Sequence, residues 1–143
     1  MKLPPELVAQ ILATPGVVVT QVQPMPAGQS SQITLPKMSE SEFTALVIGE
    51  ARSTGWRTAH FRSVRVQRKD GSFYWQTPVQ GDGAGFVDLL MVRRKRIVAA
   101  ELKVGKNKAS ADQTKWLSAL AEANVECYVW TPEMWADIKS ILA

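Results

Sequence analysis

The spacing of apolar residues predicts a first helix over residues 39–55. Ser39 and Glu42 form a capping box at its start, and Gly55 ends it. The residues expected on its buried face recur at intervals of three and four: Phe43, Leu46, Val47 and Ala51.

A second helix is predicted over residues 110–124, where Ser110 and Gln113 form another capping box. We expect three of its residues to pack on a sheet: Trp116, Leu117 and Leu120. Pro132 is predicted to open a final helix after a strand at residues 125–130.

Short runs rich in β-branched and aromatic residues predict the other strands. Residues 56–65 are predicted to form the first core strand, and residues 64–77 alternate around Asp70-Gly71, which is typical of a hairpin. The stretch 83–103 contains two apolar runs around four basic residues and predicts a second hairpin.

Residues 1–36 hold six of the eight prolines and predict an extension of short helix, strand and Pro-rich loop. The remaining order of helices and strands predicts an α/β domain over residues 37–143, with a mixed central sheet flanked by helices. A chain of 143 residues is long enough for one such core.

The amino-acid composition excludes several kinds of site and protein class. Apolar residues make up 45% and charged residues 21%, as in ordinary globular proteins. One histidine and one cysteine, His60 and Cys127, exclude a structural zinc site and a disulfide framework within the chain. No apolar run is long enough to span a membrane and no signal-like segment is present, so we expect a cytoplasmic protein.

The net charge of +4 and the pI of about 9.4 allow a polyanionic partner without requiring one. A nucleotide cofactor is not expected, because the glycine-rich residues 81–85 are followed by a strand rather than a helix and carry no Walker-type lysine.

The second hairpin carries the candidate chemistry. If its turn centres near Arg94 and Lys95, Asp88 lies opposite Glu101, and Lys103 shares the face of Glu101. Two neighbouring carboxylates repel each other, and a divalent cation relieves that repulsion. Mg²⁺ or Mn²⁺ is therefore the expected cofactor, held by Asp88, Glu101 and the backbone carbonyl of Leu102. Beside it, the ammonium of Lys103 suits metal-assisted phosphodiester hydrolysis.

Four segments in fixed order carry a family resemblance: Gly85-Phe86-Val87-Asp88-Leu89, Glu101-Leu102-Lys103, Gln113-x-x-Trp116 and Val129-Trp130-x-Pro132. Together they resemble the VRR-NUC branch of the PD-(D/E)XK nuclease superfamily, particularly its small stand-alone phage and bacterial members. One residue departs from the pattern, because Val87 stands where the family usually has proline.

The resemblance implies a restriction-endonuclease-like αβββαβ core. It also implies a metal-dependent DNA endonuclease, acting on branched or structured DNA such as four-way junctions. Two symmetric cuts would need a homodimer. The resemblance gives Gln113 a site role, which can coexist with its capping role, and suggests that Glu40 in the first helix assists at the metal. Glu42 and Glu50 are the alternative acids, with capping the stronger interpretation for Glu42.

Several residues are candidates for contacting DNA. The family often has histidine near the place of His60, although a hydrogen-bonded structural imidazole is the stronger interpretation. Lys106 and Lys108 follow Lys103 and suit flanking phosphates. Arg62 and Arg65 belong to a basic, aromatic stretch that would serve either as a DNA-binding wing or as a charged, solvated hairpin edge.

Two other functions are alternatives to a nuclease. One is a nuclease fold that has lost catalysis and only binds nucleic acid or protein. The other is a restriction-type endonuclease with its own recognition sequence, for which the chain is short. Cleavage of DNA with and without Mg²⁺ separates the first from an enzyme, and a defined cut motif on linear duplex would identify the second.

Overall fold

A computed structural model describes residues 35–76 and 78–143. The helix and strand predicted in the extension, and nearly all of its Pro-rich loop, lie outside these residues. The described part is a mixed α/β arrangement, in which a mixed sheet packs against three α-helices.

The first helix confirms its predicted ends. Helix α1 spans Glu40–Ser53, and Ser39 caps it with the reciprocal hydrogen bonds to Glu42 that define a capping box. Gly55 follows the last turn with φ +88°, a conformation that glycine adopts without steric cost.

The central sheet has four strands in the order β1 (Arg57–His60), β4 (Leu89–Arg93), β5 (Arg96–Leu102) and β6 (Glu126–Trp130). Strand β4 pairs antiparallel with both β1 and β5, whereas β6 runs parallel to β5. Helix α2 (Ala111–Glu122) supplies the crossover that a parallel connection requires.

A separate hairpin interrupts the chain between β1 and β4. Strands β2 (Val64–Gln67) and β3 (Phe73–Gln76) pair only with each other. The prediction of one strand over residues 56–65 was wrong, because β1 ends at His60 and Val64 pairs with Gln76 of the hairpin instead. The predicted Asp70-Gly71 turn is confirmed, with Gly71 at φ +86°.

Alternating side chains divide the core between the two faces of the sheet. On one face α1 and the C-terminal helix α3 (Trp135–Leu142) pack around residues that include Leu89, Ala100 and Trp130. On the other face α2 covers Ala99, Cys127 and Val129, with Val87 in the same cluster. Val87 thus fills a buried apolar position directly before Asp88.

The final segment begins with a 3₁₀ turn at Pro132–Met134, which leads into α3. None of the helices in the described part of the chain is long and apolar enough to cross a membrane.

Candidate functional site

The pairing of β4 with β5 brings the two predicted acids together. Arg93 faces Arg96 across a two-residue turn, and Leu89 faces Ala100. One step beyond the last paired residues, Asp88 lies beside Glu101, close enough for its charge to raise the pKa of that glutamate. This is the arrangement that the apolar pattern predicts.

Glu101 is fully buried, which is rare for a carboxyl group. Its Oε1 lies 2.9 Å from Nζ of Lys103, whose side chain is also largely buried. The same Oε1 accepts a hydrogen bond from Nε2 of Gln113, the third residue of α2. The structure therefore joins three predicted site residues through a single oxygen atom.

The second oxygen of Glu101 has no protein partner. Oε2 is buried and accepts no hydrogen bond. Burial and the neighbouring charge of Asp88 raise the pKa of Glu101 from 4.5 to about 8, against the opposing effect of Lys103. In the metal-free protein at neutral pH, this carboxyl group is therefore mostly protonated.

Asp88 connects the two strands through a backbone hydrogen bond. The amide N–H of Leu102 donates to Asp88 Oδ2 over 2.8 Å, just before β4 begins at Leu89. Leu102 thus contacts Asp88 through its amide, and a role for its carbonyl as a metal ligand stays a prediction. The bond also gives Asp88 a structural role, because it satisfies a buried strand amide.

A close approach of the glycine-rich loop positions α2 beside this pair. Gly85 has φ +73°, and a Cβ added there would come within 2.5 Å of Asp112 C and Gln113 N. Only glycine fits between the loop and the first turn of α2. Close packing against α2 therefore accounts for glycine at position 85.

Trp116 holds the same loop instead of packing on the sheet as predicted. Its indole Nε1 donates to the carbonyl of Asp82 over 3.0 Å. Its ring also contacts Phe86 edge to face at 4.8 Å, and Phe86 contacts Phe61 in the same way. This aromatic row was missed because it joins residues far apart in sequence, and no periodic pattern marks it.

A cleft of about 670 Å³ lies beside the pair and contains other predicted residues. Glu40, His60, Arg62 and Asp88 line it, together with Trp75 of the hairpin. His60 faces Leu89 in the strand register, so it leaves the sheet on the α1 face, whereas Glu101 contacts Gln113 of α2 on the other face. Asp88 therefore lines the cleft and also lies beside Glu101.

The remaining candidate site residues lie apart from Asp88, Glu101 and Lys103. Glu42 is occupied in the capping box of α1, and hydrogen bonds from Ser39 lower its pKa. Glu50 does not line the cleft, which leaves Glu40 as the acid of α1 that does. Lys106 and Lys108 are exposed on the loop from β5 to α2.

The possible metal donors at this site are few and are oxygen atoms. No group of three or more His, Cys, Asp or Glu side chains is placed to hold a metal within residues 35–76 and 78–143. The predicted set is smaller, with two carboxylates and a backbone carbonyl, and its unpartnered Glu101 Oε2 is the type of atom that a hard cation binds. The residues therefore fit a Mg²⁺ or Mn²⁺ ion that keeps several waters.

No protein-family model, curated protein or solved structure matches this chain. The interpretation of the site therefore depends on the resemblance of its motifs and on its geometry.

Proposed function

We propose that this chain is a Mg²⁺- or Mn²⁺-dependent DNA endonuclease with a restriction-endonuclease-like fold of the VRR-NUC type. One observation carries the proposal: Glu101 is fully buried beside Asp88 and Lys103, with one carboxylate oxygen left unpartnered. A buried carboxylate with one oxygen left unpartnered is costly, and a bound cation would offset that cost.

Asp88, Glu101 and the Leu102 carbonyl would hold the ion. A bound divalent cation supplies a Lewis acid for the phosphate and lowers the pKa of a coordinated water. In the hydrolysis, water adds to phosphorus and one P–O ester bond breaks, which leaves a phosphomonoester end and a hydroxyl end.

The chain's own residues orient and stabilise this reaction. Lys103 keeps a positive charge close to the carboxylate pair, where it would stabilise charge that develops on the phosphate. Gln113 fixes the rotamer of Glu101 and presents the N-terminus of α2, which favours an anion. Glu40 and His60 would act from the adjoining cleft, and Lys106 and Lys108 would contact flanking phosphates.

The substrate proposed is branched or structured DNA, such as a four-way junction. Symmetric cleavage of a junction requires two active sites, so the proposal includes a homodimer. Sedimentation of the protein with and without junction DNA tests that part separately.

The decisive experiment compares labelled duplex, flap and junction DNA with Mg²⁺, Mn²⁺ or EDTA. We expect metal-dependent cleavage by the wild type and a loss of at least about a hundredfold for Lys103→Ala. Glu101→Gln should lose activity similarly, whereas Glu122→Gln, an exposed glutamate at the end of α2, should cleave like the wild type.

Binding without cleavage in every metal would overturn the nuclease proposal and favour a binding module. A single cut motif on linear duplex would instead identify a restriction-type enzyme. Equal activity of wild type and Lys103→Ala would show that the cleavage does not come from this site.

A further inference from the structure

The separate β2–β3 hairpin exposes large aromatic side chains. Trp75 is 72% exposed and Phe73 is 48% exposed. Arg65 faces Trp75 and Gln67 faces Phe73 in the strand register, so all four side chains share one face. An exposed aromatic surface of this kind marks an interaction site more often than a structural one.

A cation lies over one of the two aromatic rings on this face. The guanidinium carbon of Arg65 stands 3.8 Å from the centroid of the Phe73 ring, in cation–π contact. Because Trp75 is the strand partner of Arg65, the face alternates aromatic and cationic groups. We call the set Arg65, Phe73 and Trp75 the stacking face.

Charge identifies the kind of partner that the stacking face suits. The segment of residues 62–76 holds four cations, Arg62, Arg65, Arg68 and Lys69, and one acid, Asp70. Its net charge of +3 is most of the chain's +4. Asp70 accepts hydrogen bonds from Ser72 at 2.6 and 2.9 Å, so it is engaged within the turn. A polyanion with planar groups matches this surface.

We propose that the stacking face binds an unpaired nucleobase of single-stranded DNA, with Trp75 as the main stacking residue. Base faces are accessible to aromatic side chains only where bases leave the duplex, so the ligand is a single strand or a splayed end. This deepens the proposed function, on which it rests for the chemistry that follows binding. Trp75 and Asp88 line one cleft, so the stacked base lies beside the phosphate to be cut.

Binding is tested without cleavage, by fluorescence anisotropy of a labelled oligo-dT strand in EDTA over a range of salt concentrations. Trp75→Ala should weaken binding about fivefold to one hundredfold, which is the usual range for losing one base–aromatic stack. Trp75→Phe should retain most of the affinity. The salt dependence should stay unchanged in Trp75→Ala, because an indole contacts no phosphate and releases no counterion.

Two controls separate stacking from general effects. Lys95→Gln removes one positive charge from the β4–β5 turn, at the end of β4 away from Asp88, and should bind like the wild type. A strand of abasic residues keeps the phosphates but lacks bases, so wild type and Trp75→Ala should bind it equally. Folding is checked by circular dichroism, and the high exposure of Trp75 makes a loss of fold unexpected.

Equal binding of oligo-dT by wild type and Trp75→Ala would overturn the inference, as would an equal loss on duplex or abasic strands. These outcomes are distinct from failure of the nuclease proposal. A protein that cleaves in Mg²⁺ but shows no Trp75 dependence refutes only the stacking face. A protein with Trp75-dependent binding and no cleavage refutes only the nuclease.

Discussion

Replacing Glu101 by glutamine should change how the stability of the metal-free protein depends on pH. Burial and the charge of Asp88 raise the pKa of Glu101 from 4.5 to about 8. Between these two values the folded protein holds a proton that the unfolded chain has lost. Stability from this group is therefore fully present below pH 4.5 and is lost as the pH rises through 8.

The size of the effect follows from the pKa shift. One pKa unit corresponds to about 1.4 kcal/mol, so the shift to about 8 gives an upper bound of roughly 5 kcal/mol. Local relaxation and water entry around the charged carboxylate reduce that penalty, and we expect a loss of roughly 2 to 4 kcal/mol. This is a large part of the stability of a small domain.

Urea denaturation in EDTA, followed by tryptophan fluorescence between pH 5 and 8.5, measures the loss. Wild-type stability should fall with pH more steeply than that of Glu101→Gln, and the difference between the two curves isolates the carboxyl group. Glutamine keeps an oxygen that accepts from Lys103 and Gln113 but does not titrate. Glu122→Gln, at an exposed site, should parallel the wild type.

Parallel curves for wild type and Glu101→Gln would refute the reasoning. They would mean that the carboxyl group titrates normally, and hence that water reaches it in the folded protein. A steeper fall in Glu101→Gln than in the wild type would contradict the sign of the shift.

Mg²⁺ should raise the melting temperature of the wild type but not of Glu101→Gln. Calorimetry of Mg²⁺ binding in buffers of different ionisation enthalpy should detect proton release, because the ion displaces the Glu101 proton. Its affinity should rise up to about tenfold per pH unit until pH 8. Gly85→Ala should lower the free energy of unfolding by more than about 2 kcal/mol, because the added Cβ would clash with the backbone of α2. Gly81 is the control: its φ angle is similar but no atom lies close to its Cβ position, so Gly81→Ala should cost about 1 kcal/mol. Trp116→Phe should cost about 1 kcal/mol in urea denaturation through the lost hydrogen bond to Asp82, and a change below 0.3 kcal/mol would contradict that role.

Local signals in the sequence were enough to predict the carboxylate pair. A two-residue turn and period-two alternation determine a hairpin register, and the register alone puts Asp88 opposite Glu101. The helix ends were predictable for the same reason, because a capping box is a contact within one turn.

Long-range packing could not be predicted in the same way. The length of β1 depends on whether residues 61–65 pair with the central sheet or with another segment. Val64 and Arg65 pair with β3 instead, which ends β1 early. The role of Gly85 depends on the backbone of α2, more than twenty residues later. Glu40 was predicted to assist at the metal, yet the structure places it in the cleft, separate from the contacts of Glu101.

Two glutamates on adjacent strands, Glu101 and Glu126, have pKa values shifted in opposite directions. Both oxygens of Glu126 accept from Arg96 at 2.7 Å, and this ion pair lowers the pKa of Glu126. Glu101 is deeper, shares one oxygen between two donors, and has a raised pKa. Stability alone would favour a bonding pattern like that of Glu126, or an apolar residue, at position 101. The proposed binding of a cation and an anionic substrate would account for an acid at position 101, beside another acid and a lysine.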